Sequence, residues 1–278
     1  YGRYNEFKAE QFSNFVISDR VALSVESQYR RGDGWQHDIS NNNKRVGDYE
    51  NWSVRLGLKA ELSDNVEVLL RYKHGNVDDP SPLLTSSYYS DEFGLGAPFG
   101  GVPGTFTTAK NKIASGSQPE FFRSNSDVLQ GTIKADLGFA DLTSYSQYRN
   151  EKVDSSLELD YSGMDIFQLG LPNNNETWSQ EFLLTSKAGT PLPWTAGLFY
   201  FQNTDQYITL IDTTPGSRIR LGGSSTTVKS YAAFIDATYE VTPQLFVTGG
   251  LRYSKDSVDD AYFNTRFLAP TTITLPDG

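Results

Sequence analysis

Short stretches in which apolar and polar side chains alternate recur along most of the chain. In one of them Val247, Leu251 and Tyr253 share one parity, whereas Thr248 and Arg252 occupy the other. A period of two indicates a β-strand, because successive side chains of a strand point to opposite faces of the sheet. Comparable stretches predict about ten strands of about 9 to 12 residues each. We therefore predict an all-β fold with strands paired as an antiparallel up-and-down meander.

The connections between these strands alternate strictly between short and long. The short ones lie near residues 18–20, 62–65, 138–139, 188–193 and 240–244, and the long ones near 32–50, 75–126, 150–177 and 204–228. In a meander this alternation places every short turn at one end of the sheet and every long loop at the other. Compact soluble domains seldom contain connections longer than about 15 residues. The pattern is typical of an outer-membrane β-barrel, with short periplasmic turns and long extracellular loops.

Aromatic residues concentrate at the ends of the apolar rows of the predicted strands. Trp and Tyr are favoured at a membrane boundary, because one end of the side chain is apolar and the other forms hydrogen bonds. In a barrel the apolar row meets lipid, whereas in a soluble sandwich the same row forms the core. On the barrel interpretation we predict eight lipid-interface aromatics: Tyr29, Trp52, Tyr72, Tyr148, Trp194, Tyr231, Tyr239 and Tyr253.

Composition and motifs argue against several other classes of protein. The formal net charge is −10, and no basic stripe with interleaved aromatics is present, so a nucleic-acid partner is not expected. The chain has no cysteine, and His37 and His74 are its only histidines, without the spacing of a zinc site. Carboxylate pairs such as Asp78–Asp79 fall in predicted loops. We therefore predict no enzymatic activity, no metal site and no cofactor.

Several stretches resemble the barrel of TonB-dependent outer-membrane receptors. They are TWSQEFLLTSKAGTPLPWTAGLFYF (177–201), DLGFADLTSYSQYRN (136–150) and KSYAAFIDATYEVTPQLFVTGGLRYSKD (229–256), and the early hairpin ISDRVALSVESQYRRGDGW (17–35) is similar to the first barrel strands of that family. The resemblance implies a 22-stranded barrel plugged by an N-terminal domain that contacts the TonB energy-coupling protein. It implies uptake of a scarce nutrient across the outer membrane of a Gram-negative bacterium, with a ferric siderophore or a similar iron chelate as the expected substrate.

The chain departs from the family pattern at both ends. Compared with the family, we expect residues 1–278 to lack the plug and energy-coupling segment before Tyr1 and about half of the strands after Gly278. We therefore expect residues 1–278 to form part of a receptor barrel, embedded in outer-membrane lipid, that does not transport by itself.

The candidate substrate-binding residues are loop aromatics and cations on the polar parity of the strands. Cationic walls would attract an anionic iron chelate, and aromatic rings could stack on its planar groups. These candidates are Trp35, Tyr88, Tyr89, Phe93, Arg55, Arg71, Arg149 and Arg252. The alternative for each arginine is an ion pair within the barrel, and the alternative for each aromatic is packing within its own loop.

Two other functions remain compatible with the sequence. A porin-like outer-membrane channel would share the strand pattern but would begin directly with its barrel. A soluble β-sandwich that binds glycans would bury the apolar rows, for example Val54, Leu56, Val247 and Leu251, between two sheets.

Overall fold

The computed structural model describes residues 1–39, 41–80, 111–113, 120–158, 168–212 and 219–264. Within these ranges the chain consists almost wholly of β-strands, with one short 3-10 helix at Arg3–Asn5. No helix in this part of the chain has the length and apolar character needed to cross a membrane.

Of the fourteen strands in the described ranges, ten are long and four are short. In chain order the strands are β1 (Phe7–Ser18), β2 (Val21–Gly32), β3 (Gln36–Asp38), β4 (Lys44–Val46), β5 (Tyr49–Ser63), β6 (Val66–Asp78), β7 (Lys112–Ile113), β8 (Phe121–Asp136), β9 (Ala140–Glu158), β10 (Gln168–Gly170), β11 (Asn173–Ser186), β12 (Trp194–Asp212), β13 (Ile219–Thr242) and β14 (Leu245–Asn264).

The long strands form one sheet in which each strand pairs with its neighbours in the sequence. The order is β1-β2-β5-β6-β8-β9-β11-β12-β13-β14, and every pairing is antiparallel. The short β10 occupies the same place in the sheet order as β11, because it also lies between β9 and β12 and pairs with both. The predicted meander of about ten strands is therefore confirmed.

The strands are longer than the alternation predicted. They run from 12 to 24 residues, and β9, β11, β12 and β13 extend into the ranges 150–177 and 204–228 that were expected to be loops. In these extensions both faces carry polar side chains, for example Thr204 beside Thr227, with 3.1 Å between their hydroxyl oxygens. Alternation between apolar and polar residues is lost there, although the backbone ladder continues.

A small second sheet forms at the end of the main sheet where the long connections lie. It has the order β4-β3-β7, and β3 and β7 are parallel. Asp38 of β3 and Ile113 of β7 are fully enclosed there. This sheet therefore orders part of the connections expected near 32–50 and 75–126.

The main sheet has no conventional hydrophobic core. Among the described residues, the only apolar side chains classed as buried are Ile113, Ala140 and Ala232. On the apolar face, by contrast, Leu56 is 47% exposed and Leu251 is 75% exposed. A soluble sandwich would enclose these residues under a second sheet, and no described strand covers them. The β-sandwich alternative is therefore not supported.

A glycine on β12 provides space for an aromatic ring from the next strand. Gly197 pairs with Phe234, and a Cβ atom built at Gly197 would lie 2.3 Å from the ring atom Cε1. We expect Gly197→Ala to lower the free energy of unfolding by about 1–2 kcal/mol, because the ring must leave its position. Chemical unfolding of the two proteins in the same lipid would measure the difference.

Gly249 on β14 provides the matched control. A Cβ atom built there meets nothing within 4 Å. We expect Gly249→Ala to leave the free energy of unfolding within about 0.5 kcal/mol of the parent. Equal losses in the two variants would contradict the packing of Phe234 over Gly197.

Candidate functional site

The register of the sheet assigns every side chain to one of two faces. Directly paired residues of an antiparallel sheet point the same way. Val25, Leu56 and Tyr72 are successive partners on β2, β5 and β6, and they belong to what we call the apolar face. Their neighbours Glu26 and Arg55 are also partners, and they belong to the polar face.

Four cations on the polar face lie close together, and we call them the cationic patch: Arg55, Arg71, Lys73 and Arg149. Arg55 pairs directly with Lys73. Arg149 lies in the same row across the strands, and only Val128 of β8 separates it from Lys73. Arg71 is two residues from Lys73 on β6, about 7 Å along the strand. Three of the four predicted arginines are therefore brought together on one wall.

Ion pairs divide the cationic patch into two kinds of member. Arg55 is paired with Glu26, and Arg149 is paired with Glu151, whose carboxylate also accepts a hydrogen bond from the Ser124 hydroxyl at 3.0 Å. Within the described part of the chain, neither Arg71 nor Lys73 has an ion-pair partner. The patch thus retains uncompensated positive charge at two adjacent same-face positions of β6.

Lys73 was not among the candidates predicted from sequence. Its signal was nevertheless present, because it shares the polar parity of β6 with Arg71. What the sequence does not contain is the register that places Lys73 directly beside Arg55.

Two of the remaining candidates, Arg252 and Trp35, lie apart from the cationic patch. Arg252 is on the polar face of β14, four strand-to-strand steps beyond β9, which corresponds to about 19 Å. Trp35 lies between β2 and β3 and is 47% exposed. Tyr88, Tyr89 and Phe93 lie outside the described residues. Of the described candidates, the structure therefore does not join Arg252 and Trp35 to the cationic patch.

Aromatic side chains form a row across the apolar face, to which every long strand from β2 to β14 except β8 contributes one. Tyr148 packs against its partner Trp178 with ring centroids 5.5 Å apart, and Tyr200 packs against its partner Tyr231 at 5.1 Å. This upper row contains six of the eight predicted lipid-interface aromatics and two residues that were missed: Tyr29, Trp52, Tyr72, Tyr148, Trp178, Tyr200, Tyr231 and Tyr253. Trp178 was missed because it begins a strand with weak alternation.

From Tyr29 on β2 to Tyr253 on β14, the upper row has a mean slope of eight residues over eight strand-to-strand steps. The descent is uneven, because four of the eight residues fall between Trp52 and Tyr72, so Tyr72 lies below the mean line of the row. With about 3.3 Å per residue and about 4.8 Å between strands, this slope corresponds to about 35°. Strands of transmembrane barrels are tilted by 35–45° from the membrane normal. The row is therefore level with a membrane surface when the sheet has that tilt.

Two further aromatics on the apolar face mark a parallel lower row. Trp194 lies six residues from Tyr200 on β12, and Tyr239 lies eight residues from Tyr231 on β13. At a tilt of about 35° the two rows are about 16–22 Å apart, close to the apolar band of about 25 Å in outer-membrane barrels. All eight predicted interface aromatics therefore lie on the apolar face, in two rows.

A cavity of about 720 Å³ lies at the end of the sheet with the long connections. Its lining includes Arg123 and Asp78, whose Nε and Oδ2 atoms are 3.2 Å apart, together with Arg31 and Glu50, which are direct partners. Carboxylates outnumber cationic side chains in this lining, where Asp33, Asp48, Glu50, Asp78 and Glu120 accompany only Arg31 and Arg123. It is therefore a weaker anion site than the cationic patch, although it is the more enclosed space.

A carboxyl group at the same end of the sheet has an altered acidity. Burial raises the pKa of the Glu120 carboxyl to about 7, and the negative charge of the enclosed Asp38 adds to the increase. The backbone N–H of Glu158 donates to Glu120 Oε1 at 3.1 Å and acts in the opposite direction. Among the described residues no group of three or more His, Asp or Glu side chains is arranged to hold a metal ion.

Comparison with known proteins identifies the family of this barrel wall. The family model described as TonB dependent receptor-like, beta-barrel, matches residues 2–276. No protein with a curated description matches the sequence.

Solved structures of similar fold cover nearly the whole chain. The ferric yersiniabactin uptake receptor FyuA of Yersinia pestis has a TM-score of 0.72 at 14% identity, with 94% of this chain covered and 38% of that chain. The open form of the ferric-catecholate import receptor Fiu of E. coli K12 has 0.65 at 13% identity, with 93% and 43% covered. The siderophore receptor PiuA of Acinetobacter baumannii has 0.64 at 13% identity, with 96% and 43% covered.

The chain thus spans about two fifths of the length of these receptors, and its ten long strands follow their barrel fold. FyuA is described as an uptake receptor, Fiu as an import receptor and PiuA as a siderophore receptor. Since the family model accounts for residues 2–276, the chain belongs to the TonB-dependent receptors, in their β-barrel region.

Proposed function

We propose that the chain forms part of the wall of an outer-membrane receptor that takes up an iron chelate, with a ferric siderophore as its substrate. The apolar face meets lipid, the two aromatic rows lie at the membrane boundaries, and the polar face lines the interior. The short turns are periplasmic and the long connections are extracellular. The remaining strands and a plug that contacts TonB belong to the same receptor.

The observation that carries the choice of substrate is the cationic patch on the interior wall. Arg71 and Lys73 point into the lumen without a described carboxylate partner, so their charges remain available to an entering anion. Ferric chelates with carboxylate or catecholate donors are anionic, and a cation-lined cleft raises their local concentration. FyuA and Fiu, which share the fold, are receptors for ferric chelates.

Removing the two unpaired cations should weaken uptake of an anionic chelate. In the receptor that contains this chain, we expect Arg71→Gln together with Lys73→Gln to raise the KM for uptake about 3- to 10-fold, with a smaller effect on the maximal rate. The reason is the loss of electrostatic attraction during entry. Uptake of radiolabelled ferric siderophores into iron-starved cells would measure both constants.

Arg252→Gln is the matched control for this experiment. Arg252 faces the same interior but lies about 19 Å of sheet away from β9. It should leave the KM within about twofold of the parent. Unchanged uptake in the double variant, or an equal loss in Arg252→Gln, would contradict a role for the cationic patch. Loss of the receptor without any effect on growth under iron starvation would contradict iron uptake as the function.

A further inference from the structure

An apolar groove crosses the apolar face of β11 to β14. It has a volume of about 450 Å³, and small side chains form its floor at Ala196 and Ala233. Larger side chains form its two walls, with Phe182, Leu184 and Leu198 on one side and Ile235, Leu251 and Tyr253 on the other. Leu198 and Leu251 are among the exposed large apolar residues of the chain. The groove is therefore open, and its walls and floor are almost entirely apolar.

The long axis of the groove is perpendicular to the upper aromatic row. A diagonal line on the apolar face joins Lys255 on β14, Ala233 on β13 and Ala196 on β12. From each strand to the next, the line moves two residues closer to the short turns. The upper aromatic row slopes the other way, because it approaches the short turns from β2 toward β14. If the row is level with the membrane surface, the line from Lys255 to Ala196 follows the membrane normal over about 16 Å.

Two lysines lie at the upper end of the groove. Each lysine shares the apolar face with an aromatic of the upper row and lies two residues farther from the short turns. Lys229 follows this pattern with Tyr231, and Lys255 with Tyr253. They are diagonal neighbours on adjacent strands, with about 7–8 Å between their Cα atoms. Within the part of the chain that the structure describes, neither forms an ion pair. Asp259, a carboxylate on the same face of β14, lies beyond them and farther from the aromatic row.

We propose that this groove and lysine pair bind one lipid with an anionic phosphate headgroup. The acyl chain lies over Ala233 and Ala196, and the phosphate contacts Lys229 and Lys255. This assignment rests on the proposed placement of the apolar face in the membrane. Burial of methylene groups favours the chain, and each lysine near an anionic headgroup contributes electrostatic attraction.

The geometry favours a lipid over a second protein. The groove is open along the direction in which acyl chains lie, and its cations are confined to the end where headgroups lie. A protein partner on this face would instead be expected to meet complementary groups along the whole contact. The charge at one end and the apolar trough below it match the two parts of a single anionic lipid.

Lipid retention by the purified receptor tests this assignment. Native mass spectrometry would compare phosphatidylglycerol with phosphatidylcholine of identical acyl chains, added to the receptor that contains this chain. We expect the parent to retain phosphatidylglycerol preferentially. The double variant Lys229→Gln, Lys255→Gln should bind phosphatidylglycerol about 30-fold more weakly, because it loses the attraction of two lysines. Its retention of phosphatidylcholine should stay the same.

Two further variants separate charge from groove. Lys152→Gln removes a lysine from the same face of β9, away from the groove, and should keep the parent's preference. Ala196→Phe fills the floor and should reduce retention of both lipids. Equal retention of the two lipids by the parent would overturn the proposal, as would an unchanged preference in the double lysine variant or an equal loss in Lys152→Gln.

Resistance to extraction from membranes by urea should be measured on the same samples. A receptor that is integrated in the membrane but shows no lipid preference overturns only the lipid site. A receptor that urea extracts from the membrane overturns the membrane placement together with the lipid site.

Discussion

Leu56→Arg should lower the free energy of unfolding in a bilayer by about 2–4 kcal/mol, the cost of an arginine near the midplane on the lipid face of a barrel. Leu56 lies on the apolar face of β5, four residues from Trp52 in the upper aromatic row. At a tilt of about 35° this places it about 11 Å below that row, near the middle of the apolar band. Urea unfolding in phospholipid bilayers, followed by tryptophan fluorescence, would measure the change.

Gln28→Arg introduces the same side chain on the opposite face of the neighbouring strand. Gln28 pairs with Ser53 and is exposed on the polar face. We expect its free energy of unfolding to stay within about 0.5 kcal/mol of the parent, because the guanidinium remains in the wet interior. The difference between the two arginines therefore reports which face meets lipid. Equal effects, or a larger loss for Gln28→Arg, would contradict the assignment of the faces.

The fold was predictable from the sequence because the middle of each strand obeys a simple rule. Between the aromatic rows one face is apolar and the other polar, so residues such as Val247 and Leu251 repeat with a period of two. Beyond the rows both faces are polar, and the same rule gives no signal. For this reason β12 and β13 were predicted too short, although their backbone ladder continues to the pair of Ile211 and Ile219.

The candidate site was predictable only in part, because its geometry depends on register. Parity placed all four arginines on the polar face, and the predicted meander separates Arg252 from the others by several strands, but neither tells which residues lie level on adjacent strands. Lys73 joins the patch through its pairing with Arg55, a contact between residues in different strands. The groove between Phe182 and Leu251 likewise combines residues from four strands, so no local stretch of sequence indicates it.

The protein should lose stability at the end of the sheet with the long connections as the pH rises from about 4.5 to about 7. The pKa of Glu120 is raised from its ordinary value of 4.5 to about 7, chiefly by burial. Below pH 4.5 the carboxyl is protonated in both the folded and the unfolded segment, so it imposes no cost. Above pH 7 it is ionised in both states, and folding bears the full cost of burying the charge, at most about 3 kcal/mol.

Glu120→Gln should remove this dependence on pH. The amide has the same shape as the protonated carboxyl, and its oxygen can still accept the hydrogen bond from the Glu158 backbone N–H. Hydrogen exchange of the amides near the start of β8 and the end of β9 would report local opening. Comparing the parent with Glu120→Gln at each pH cancels the intrinsic effect of pH on exchange. The ratio of the two opening rates therefore reports only the effect of the Glu120 carboxyl on local opening.

The expected ratio of the parent's opening rate to that of Glu120→Gln is close to one at pH 4.5, rises up to about pH 7 and stays high above it. Glu50→Gln, which changes an exposed carboxylate at the same end of the sheet, should behave as the parent at every pH. A constant ratio from pH 4.5 to 8 would contradict the burial of a charge at Glu120. Because Asp38 is enclosed beside it and its charge also disfavours ionisation of Glu120, Asp38→Asn should weaken the dependence on pH without abolishing it.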